Sequence, residues 1–351
     1  MFSKEILMVQ LIFENVHALI FCALFALVLF LLLRPLAIKI SLLDTRNKRN
    51  FDQDQVPLIG GISIFLASFL TSFIFFDIIF IDLYPLLICG GWMLLLGVVD
   101  DKFDLSAYKK LFFQALIILT FIITTDLTIK DLGTPLGFSS SLELGLLSVP
   151  FTFFAILGLT NAFNLIDGCD GLASSMTIIA LLALLIFDTS GLKDSNQLLM
   201  LLLVTSLIVF MFLNFSNNKN IKIFLGDAGS LFLGFIVATS LVEFADKNTL
   251  YDPSIVIWFT AIPIFDLCTV IVKRKLLKKN IMAADRSHIH HQLLSRGFSD
   301  FYTTSVISSS ALILLLFGVF VTINHPNLGF WSFLAFLILY LSIQIFSSKT
   351  K

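Results

Sequence analysis

The sequence predicts an all-α polytopic membrane protein of about eleven transmembrane helices, with the N-terminus outside and the C-terminus in the cytoplasm. Three observations carry that expectation. Of 351 residues, 58% are hydrophobic and only 13% charged, and mean hydropathy is +0.97. A water-facing surface cannot be built from so few charges, whereas lipid solvates apolar surface directly. Apolar runs close to the ~20 residues of a bilayer crossing recur along the whole chain. The Lys and Arg residues fall almost entirely on alternate connections between those runs. A net charge of −1 gives no bulk basic surface for nucleic acid. With no internal repeat or low-complexity tract, residues 1–351 read as one domain.

The candidate spans lie near 15–34, 58–76, 83–99, 109–125, 147–165, 172–187, 197–215, 229–244, 254–272, 304–322 and 329–346. The first follows a start with no A-x-A-like cleavage site, so it reads as a retained span and not a removed leader. Several, the second among them (GGISIFLASFLTSF), contain Gly and Ser, which membrane helices tolerate. The third ends in GVVDDKFDLSAYKK, which leads into the fourth. Between the fourth and fifth, the outer connection 126–146 has turn residues and short apolar runs that suit a small hairpin. NAFNLIDGCDG joins the fifth to the sixth, and NKNIKIFLGDAGS the seventh to the eighth. KRKLLKKNIMAADRSHIHHQLLSRG joins the ninth to the tenth, and the eleventh leads into the C-terminal tail. With the N-terminus outside, the inner side holds 19 of the 23 Lys and Arg, and the outer side holds Lys4, Lys130, Lys193 and Lys247. Cys22, Cys89, Cys169 and Cys268 are scattered with no CxxC, so neither a zinc site nor a disulfide framework is indicated.

The acids share the basic side. Asp100, Asp101 and Asp104, Asp167 and Asp170, Asp227, and Asp285 belong to four separate connections, expected to meet in one inner-face cleft. Adjacent Asp100 and Asp101 repel each other and require a cation or a retained proton. Lys102, Lys109 and Lys110 stand near, so a charge-neutralised loop is the plainer reading. Asp104 falls one helical turn beyond Asp101 if the helix continues. Asn161, Asn164, Asp167 and Asp170 recur at intervals of three, a series one helical face could carry, although Gly168 and Gly171 signal a break. An ordinary tight turn rarely needs four such side chains. Asp227 sits at a helix N-terminus, where N-capping is its ordinary use, and Gly226 and Gly229 let a ligand approach the backbone. His288, His290 and His291 lie beside Asp285 and Arg286. Their spacing is not that of HExxH. As donors to phosphate or sugar oxygens they fit the approach KRKLLKK better than as zinc ligands, and the same basic stretch would sit on anionic lipid. Carboxylates and basic groups at a membrane face suit a phosphate-bearing substrate held with Mg²⁺. The apolar scaffold suits a lipid acceptor whose phosphate stands at the interface.

Together these segments resemble a known family. DTRNKRNFDQDQVPLIGG, GVVDDKFD, NAFNLIDGCDGLA, IFLGDAGSLFLGF, PIFDL and DRSHIHH occur in that order. In this the chain is similar to the polyprenyl-phosphate N-acetylhexosamine-1-phosphate transferases (the WecA/MraY family), and its HIHH ending resembles the WecA/TagO branch. The resemblance implies transfer of N-acetylglucosamine-1-phosphate, or a related N-acetylhexosamine-1-phosphate, from the UDP-sugar to undecaprenyl phosphate with release of UMP. It implies a bacterial inner-membrane enzyme at the first lipid-linked step of envelope polysaccharide synthesis, dependent on Mg²⁺ (or Mn²⁺), and it admits a homodimer. Residue by residue, it makes Asp100 and Asp101 the paired aspartates, one accepting a proton from the lipid phosphate. It makes Asp167 and Asp170 a second acidic motif, placed near the uridine end or the catalytic cleft. Asn164 and Asp227 match Mg²⁺-binding positions, and Lys110 a phosphate contact. Asp285, Arg286, His288, His290 and His291 match the loop that reads sugar and diphosphate, and Lys48 and Asn161 join the substrate-binding set. Where family members often carry a histidine after the KRN-like stretch, this chain reads NFDQDQVP, with Lys48 and Arg49 retained.

A secondary transporter is the alternative from another class, since Glu243 and Asp266 fall toward span interiors, where transporters keep ionisable groups. A CDP-alcohol phosphotransferase is set aside, because LASSMTIIALL after Asp170-Gly171 lacks the arginine and further acids that motif needs.

Overall fold

A segment surrounded by lipid must satisfy its own backbone, which a helix does locally. The computed structural model describes residues 10–44, 56–76, 79–135, 141–188, 192, 194–248, 250–278 and 288–349. In chain order its helices are α1 (Val16–Lys39), α2 (Gly60–Phe75), α3 (Ile79–Phe103), α4 (Ala107–Thr125), α5 (Ser148–Ile166), α6 (Leu172–Phe187) and α7 (Asp194–Asn214). They continue with α8 (Gly226–Lys247), α9 (Ile255–Phe259), α10 (Ala261–Leu276), α11 (Ile289–Leu294), α12 (Asp300–Asn324) and α13 (Pro326–Lys349).

Among the described residues, eight helices are long and apolar enough to cross a membrane: α1, α3, α4, α5, α7, α8, α12 and α13. Two further apolar helices, α2 and α6, have 16 residues each. At 1.5 Å per residue they span about 24 Å, short of a ~30 Å hydrocarbon core. The apolar run near 254–272 is divided at Thr260 into α9 and α10. Pro263 explains the break. It has no N–H to give the Phe259 carbonyl, and its ring crowds that carbonyl, four residues back. Among the described residues a 3₁₀ turn lies at Gly145–Leu147 and β-pairing is limited to isolated bridges. One of them, Asp131 with Glu143, closes the connection expected as a hairpin, with backbone bonds Leu132 N–H to Leu142 O and Leu144 N–H to Lys130 O.

The bundle is organised around α8, whose residues from Ala228 to Ala245 are all buried. Such a helix needs neighbours that reach its backbone, and small residues supply the clearance. A Cβ on Gly61 of α2 would stand 2.3 Å from Gly229 Cα, and a Cβ on Gly97 of α3 would stand 2.3 Å from Ala228 Cα. The starts of α2 and α8 are also joined through their backbones, with Gly60 N–H on Phe224 O (2.9 Å) and Gly61 N–H on Leu225 O (3.1 Å). Three helices therefore meet at the N-terminus of α8 at the closest approach backbones allow.

Side-chain contacts sort the two ends of the bundle. One end gathers the C-termini of α1, α3, α5 and α10 with the N-termini of α4, α8, α11 and α12. Arg34 donates to Lys219 O and Lys222 O there, and Thr304 donates to Asp170 O. The opposite end carries Lys130 with Asp246, Lys247 with Glu243, and Thr134 with Asp252.

Gly97→Val forces side-chain atoms onto the Ala228 backbone. It should cost about 1–3 kcal/mol, the range for overpacking, and lower the melting temperature of the protein in detergent; a variant that melts like the parent contradicts the close packing of α3 on α8.

Candidate active site

The first end of the bundle opens into a cleft of about 1580 Å³. Its lining includes Asp100, Lys110, Asn161, Asn164, Asp167, Asp170, Asp227, His288, His290 and His291. Lys48, Asp285 and Arg286 lie outside the described residues.

Four helices deliver the central cluster. Lys110 stands in the first turn of α4, where an ammonium works against the helix dipole and needs anions nearby. Asp100 Oδ2 is 2.6 Å from its Nζ and Asp227 Oδ2 is 3.4 Å away. Nζ also donates to Asn164 Oδ1 at 2.9 Å. The Asn164 amide then donates to Asp227 Oδ1 (3.0 Å) and Ser230 Oγ (2.9 Å). Asp100, buried, uses its other oxygen to accept the Leu105 N–H at 2.9 Å. Oxygens from α3, α5 and α8 thus converge on one cationic nitrogen.

The paired aspartates divide. Asp100 lines the cleft; among the described lining residues Asp101 is absent. Asp101 turns to the start of α8, where its carboxylate accepts the N–H of Asp227 (2.8 Å) and of Ala228 (3.1 Å). Capping expected of Asp227 is therefore done by a residue of another helix, which leaves the Asp227 carboxylate to the cluster. Gly226 makes room for this: its φ is +76°, and a Cβ there would lie 2.6 Å from Asp101 Oδ2. Asp104 does not continue the helical face of Asp101. Helix α3 ends at Phe103, and Asp104 takes the left-handed conformation at φ +50°.

The series at intervals of three is also split. Asn161 and Asn164 lie on α5, Asp167 ends that helix, and Asp170 belongs to the turn before α6. Asn161 exchanges hydrogen bonds with Gln114 of α4, at 2.7 Å and 3.4 Å. Asp170 pairs with Lys222 at 2.5 Å. Burial pushes its carboxyl above the usual range, and Lys222 opposes that rise. In the same turn burial pushes the Cys169 thiol up to about 12, which keeps it protonated and out of nucleophilic chemistry at neutral pH.

The histidines come in through α11. His288 Nδ1 is 2.6 Å from Asp266 Oδ2 on α10. His290 is buried, with its Nε2 against the acidic turn; a Cβ on Gly168 would lie 1.9 Å from it. The rings of His290 and His291 are 4.2 Å apart between centroids. Burial, then the neighbouring His291, holds the His290 imidazole down at about 3, with Asp266 opposing.

The oxygen set of Asp100, Asn164 and Asp227 fits Mg²⁺, a hard cation held through one or two carboxylates plus substrate phosphates. Among the described residues no three His, Cys, Asp or Glu side chains form a metal cluster. Sequence reasoning singled out neither Gln114 and Thr304, which lie outside the quoted motifs, nor Lys222 and Ser230, which lie in the seventh-to-eighth connection beside Asp227. Gln114 carried the best signal, an amide inside the apolar run LFFQALIIL.

A family model described as glycosyl transferase family 4 matches residues 83–245, a stretch that holds the central cluster but stops short of Asp266 and the histidines. A probable undecaprenyl-phosphate N-acetylglucosaminyl 1-phosphate transferase of Bacillus subtilis is 33% identical over 323 residues, 91% of this chain and 87% of that one. The undecaprenyl-phosphate alpha-N-acetylglucosaminyl 1-phosphate transferase of Yersinia pestis is 30% identical over 86% of this chain and 82% of its own. That of Escherichia coli (strain K12) is 30% identical over 83% and 80%.

Two outcomes test the geometry. Gly168→Ala should lower the melting temperature by displacing His290, at a cost of about 1–3 kcal/mol, and should cost far less once His290→Ala has removed the ring; equal costs in both backgrounds contradict the contact. Between pH 6.5 and about 3 the unfolded His290 binds a proton that the folded site refuses, so stability present above pH 6.5 is lost as pH falls. Thermal melts in detergent at pH 7 and pH 5 should show a drop that His290→Gln reduces.

Proposed function

The chain belongs to glycosyl transferase family 4, together with the undecaprenyl-phosphate N-acetylglucosaminyl 1-phosphate transferases it matches, and on that premise we propose the reaction its cleft performs. An N-acetylhexosamine-1-phosphate, N-acetylglucosamine-1-phosphate first among the candidates, passes from a UDP-sugar to undecaprenyl phosphate. An oxygen of the lipid phosphate attacks the sugar-linked phosphorus. The bond from that phosphorus to the UMP oxygen breaks, and UMP leaves with the electron pair. The observation that carries this is the convergence of Asp100, Lys110, Asn164 and Asp227 from four helices at one end of an apolar bundle. Phosphoryl transfer asks mainly for positioning and charge stabilisation, which such a cluster supplies.

Asp100, Asp227 and the Asn164 amide oxygen would hold Mg²⁺, which when bound neutralises charge on the diphosphate. Lys110 neutralises the same carboxylates before substrate arrives and lines the cleft as an ammonium donor for a phosphate oxygen. Asp100, which lines the cleft, takes the proton of the lipid phosphate where one is present, and Asp101 holds the helix. Direct attack asks mainly binding and charge placement of these acids, and the oxygens of Asp100, Asp101 and Asp227 are already held in place by amide or ammonium donors. The cleft volume of about 1580 Å³ exceeds the roughly 300–1,000 Å³ of a small-molecule pocket, as two substrates require. The bias of basic residues to this end supports an inner-membrane protein with the cleft on the cytoplasmic side. The two acids that favoured transport have partners instead. Glu243 binds Asn196 and Lys247, and Asp266 binds His288.

Purified protein in detergent, given undecaprenyl phosphate and a panel of UDP-N-acetylhexosamines, should release UMP and form a lipid-linked sugar diphosphate. EDTA should silence it and Mg²⁺ restore it. Asp227→Asn should cost about 10²–10³-fold or more in turnover, the scale of losing one preorganised charge contact, with unchanged elution on gel filtration. No UMP from any donor overturns the reading and favours transport; full activity in Asp227→Asn removes the metal role.

A further inference from the structure

Asp266 is a carboxylate that the transfer chemistry leaves without a task. It lies on α10 at 2% exposure, and His288 beside it is 3% exposed. Burying a carboxylate this deeply is costly unless both oxygens are engaged. Both are: Oδ2 meets His288 Nδ1 at 2.6 Å, and Oδ1 accepts the N–H of Ile289 at 3.0 Å. These are consecutive groups at the point where the chain enters α11, so one side chain fixes both the ring and the helix start. The ring lines the cleft and lies nearly parallel to that of His290, with centroids 5.5 Å apart and planes 10° apart. An imidazole has two nitrogens. When Nδ1 gives its proton to a carboxylate, the tautomer and the ring plane are set, and Nε2 is the nitrogen left for whatever occupies the cleft. A pair built only to fill the core would have no need to stand on the cleft wall.

We propose that Asp266 is a positioning residue that holds the His288 ring, through Nδ1, with Nε2 presented to the substrate phosphates in the cleft. The substrate named here rests on the transferase reading; the geometry does not. The inference reaches beyond the residues matched by the family model, which end at 245.

The test uses the full chain in detergent with two readouts. In ¹⁵N-histidine-labelled protein the five histidines give few signals, and His288 is assigned by its loss in His288→Ala. Its Nδ1 should be a protonated nitrogen with a slowly exchanging N–H, and Asp266→Asn should shift or abolish that signal. An unprotonated Nδ1, or a His288 signal unchanged in Asp266→Asn, overturns the proposal. In the transfer assay Asp266→Asn should lower turnover about 10–100-fold, the usual scale for a residue that orients a functional histidine. Added to His288→Ala, the same substitution should change turnover less than about twofold, because its partner is already gone. Equal losses in both backgrounds overturn the proposal and make Asp266 a structural residue. If the parent protein transfers no sugar phosphate, the transferase reading fails, and the imidazole signals still decide what Asp266 does.

Discussion

One ammonium nitrogen holds the site together. Lys110 Nζ is shared by Asp100, Asn164 and Asp227, which come from α3, α5 and α8. At side-chain exposures of 6% and 20%, two carboxylates at this separation would repel strongly in a weakly polarisable surround. A cation between them turns that repulsion into cohesion. The same arrangement explains the position of Lys110, since a lysine in the first turn of a helix is placed against the local dipole. The resting cluster therefore keeps three oxygen donors gathered around a positive charge, the arrangement a divalent ion and a phosphate-bearing substrate would otherwise have to assemble at an entropic cost.

That gathering depends on backbone placement at the start of α8. Asp227 can face Lys110 and Asn164 because its own helix is capped from outside, by Asp101. Asp101 can reach those amides because α3 lies against α8 with nothing larger than hydrogen at Gly97 and a left-handed glycine at Gly226. Adjacent aspartates thus serve two ends of one task. One joins the charge cluster, and the other fixes the helix that delivers the opposing carboxylate. In a membrane protein this division is economical, because a buried helix terminus has no water to satisfy its first amides.

Much of this was legible in the sequence, for identifiable reasons. Apolar length and basic bias are chain-local quantities, so each apolar run became helix where described. Two features had local causes: Pro263 divides one run, and α2 and α6, apolar but 16 residues long, fall short of a full crossing. Asp100, Asn164, Asp227 and Lys110 carry charge or amide groups at span ends, which makes them visible. What the sequence does not show is direction. Asp100 and Asp101 are indistinguishable as letters; side chains of consecutive helical residues point about 100° apart, and the packing of α3 on α8 decides which one faces the cleft. Asn161 falls in the same periodic series as Asn164, yet it turns to Gln114, whose significance depends on α4 lying beside α5. Lys222 and Ser230 matter only through partners 52 and 66 residues away in the chain.

The two ends of the bundle then differ in kind, and the difference bears on mechanism. At the end away from the cleft, charged groups are spent on one another: Lys130 with Asp246, Lys247 with Glu243, and Asp252 with the backbone and side chain of Thr134. At the cleft end carboxylates, amides and imidazoles are paired as well, but they stand at helix termini that line an open volume. A transporter must offer ionisable groups to both sides in turn, through some repeat that rocks about a midplane site. Here the helix that would have to carry such a path, α8, is buried from Ala228 to Ala245 by neighbours that touch its backbone. A closely packed axis with the polar cleft at one end is suited to chemistry at a single membrane face. There the two substrates of the proposed transfer would meet without either crossing the bilayer.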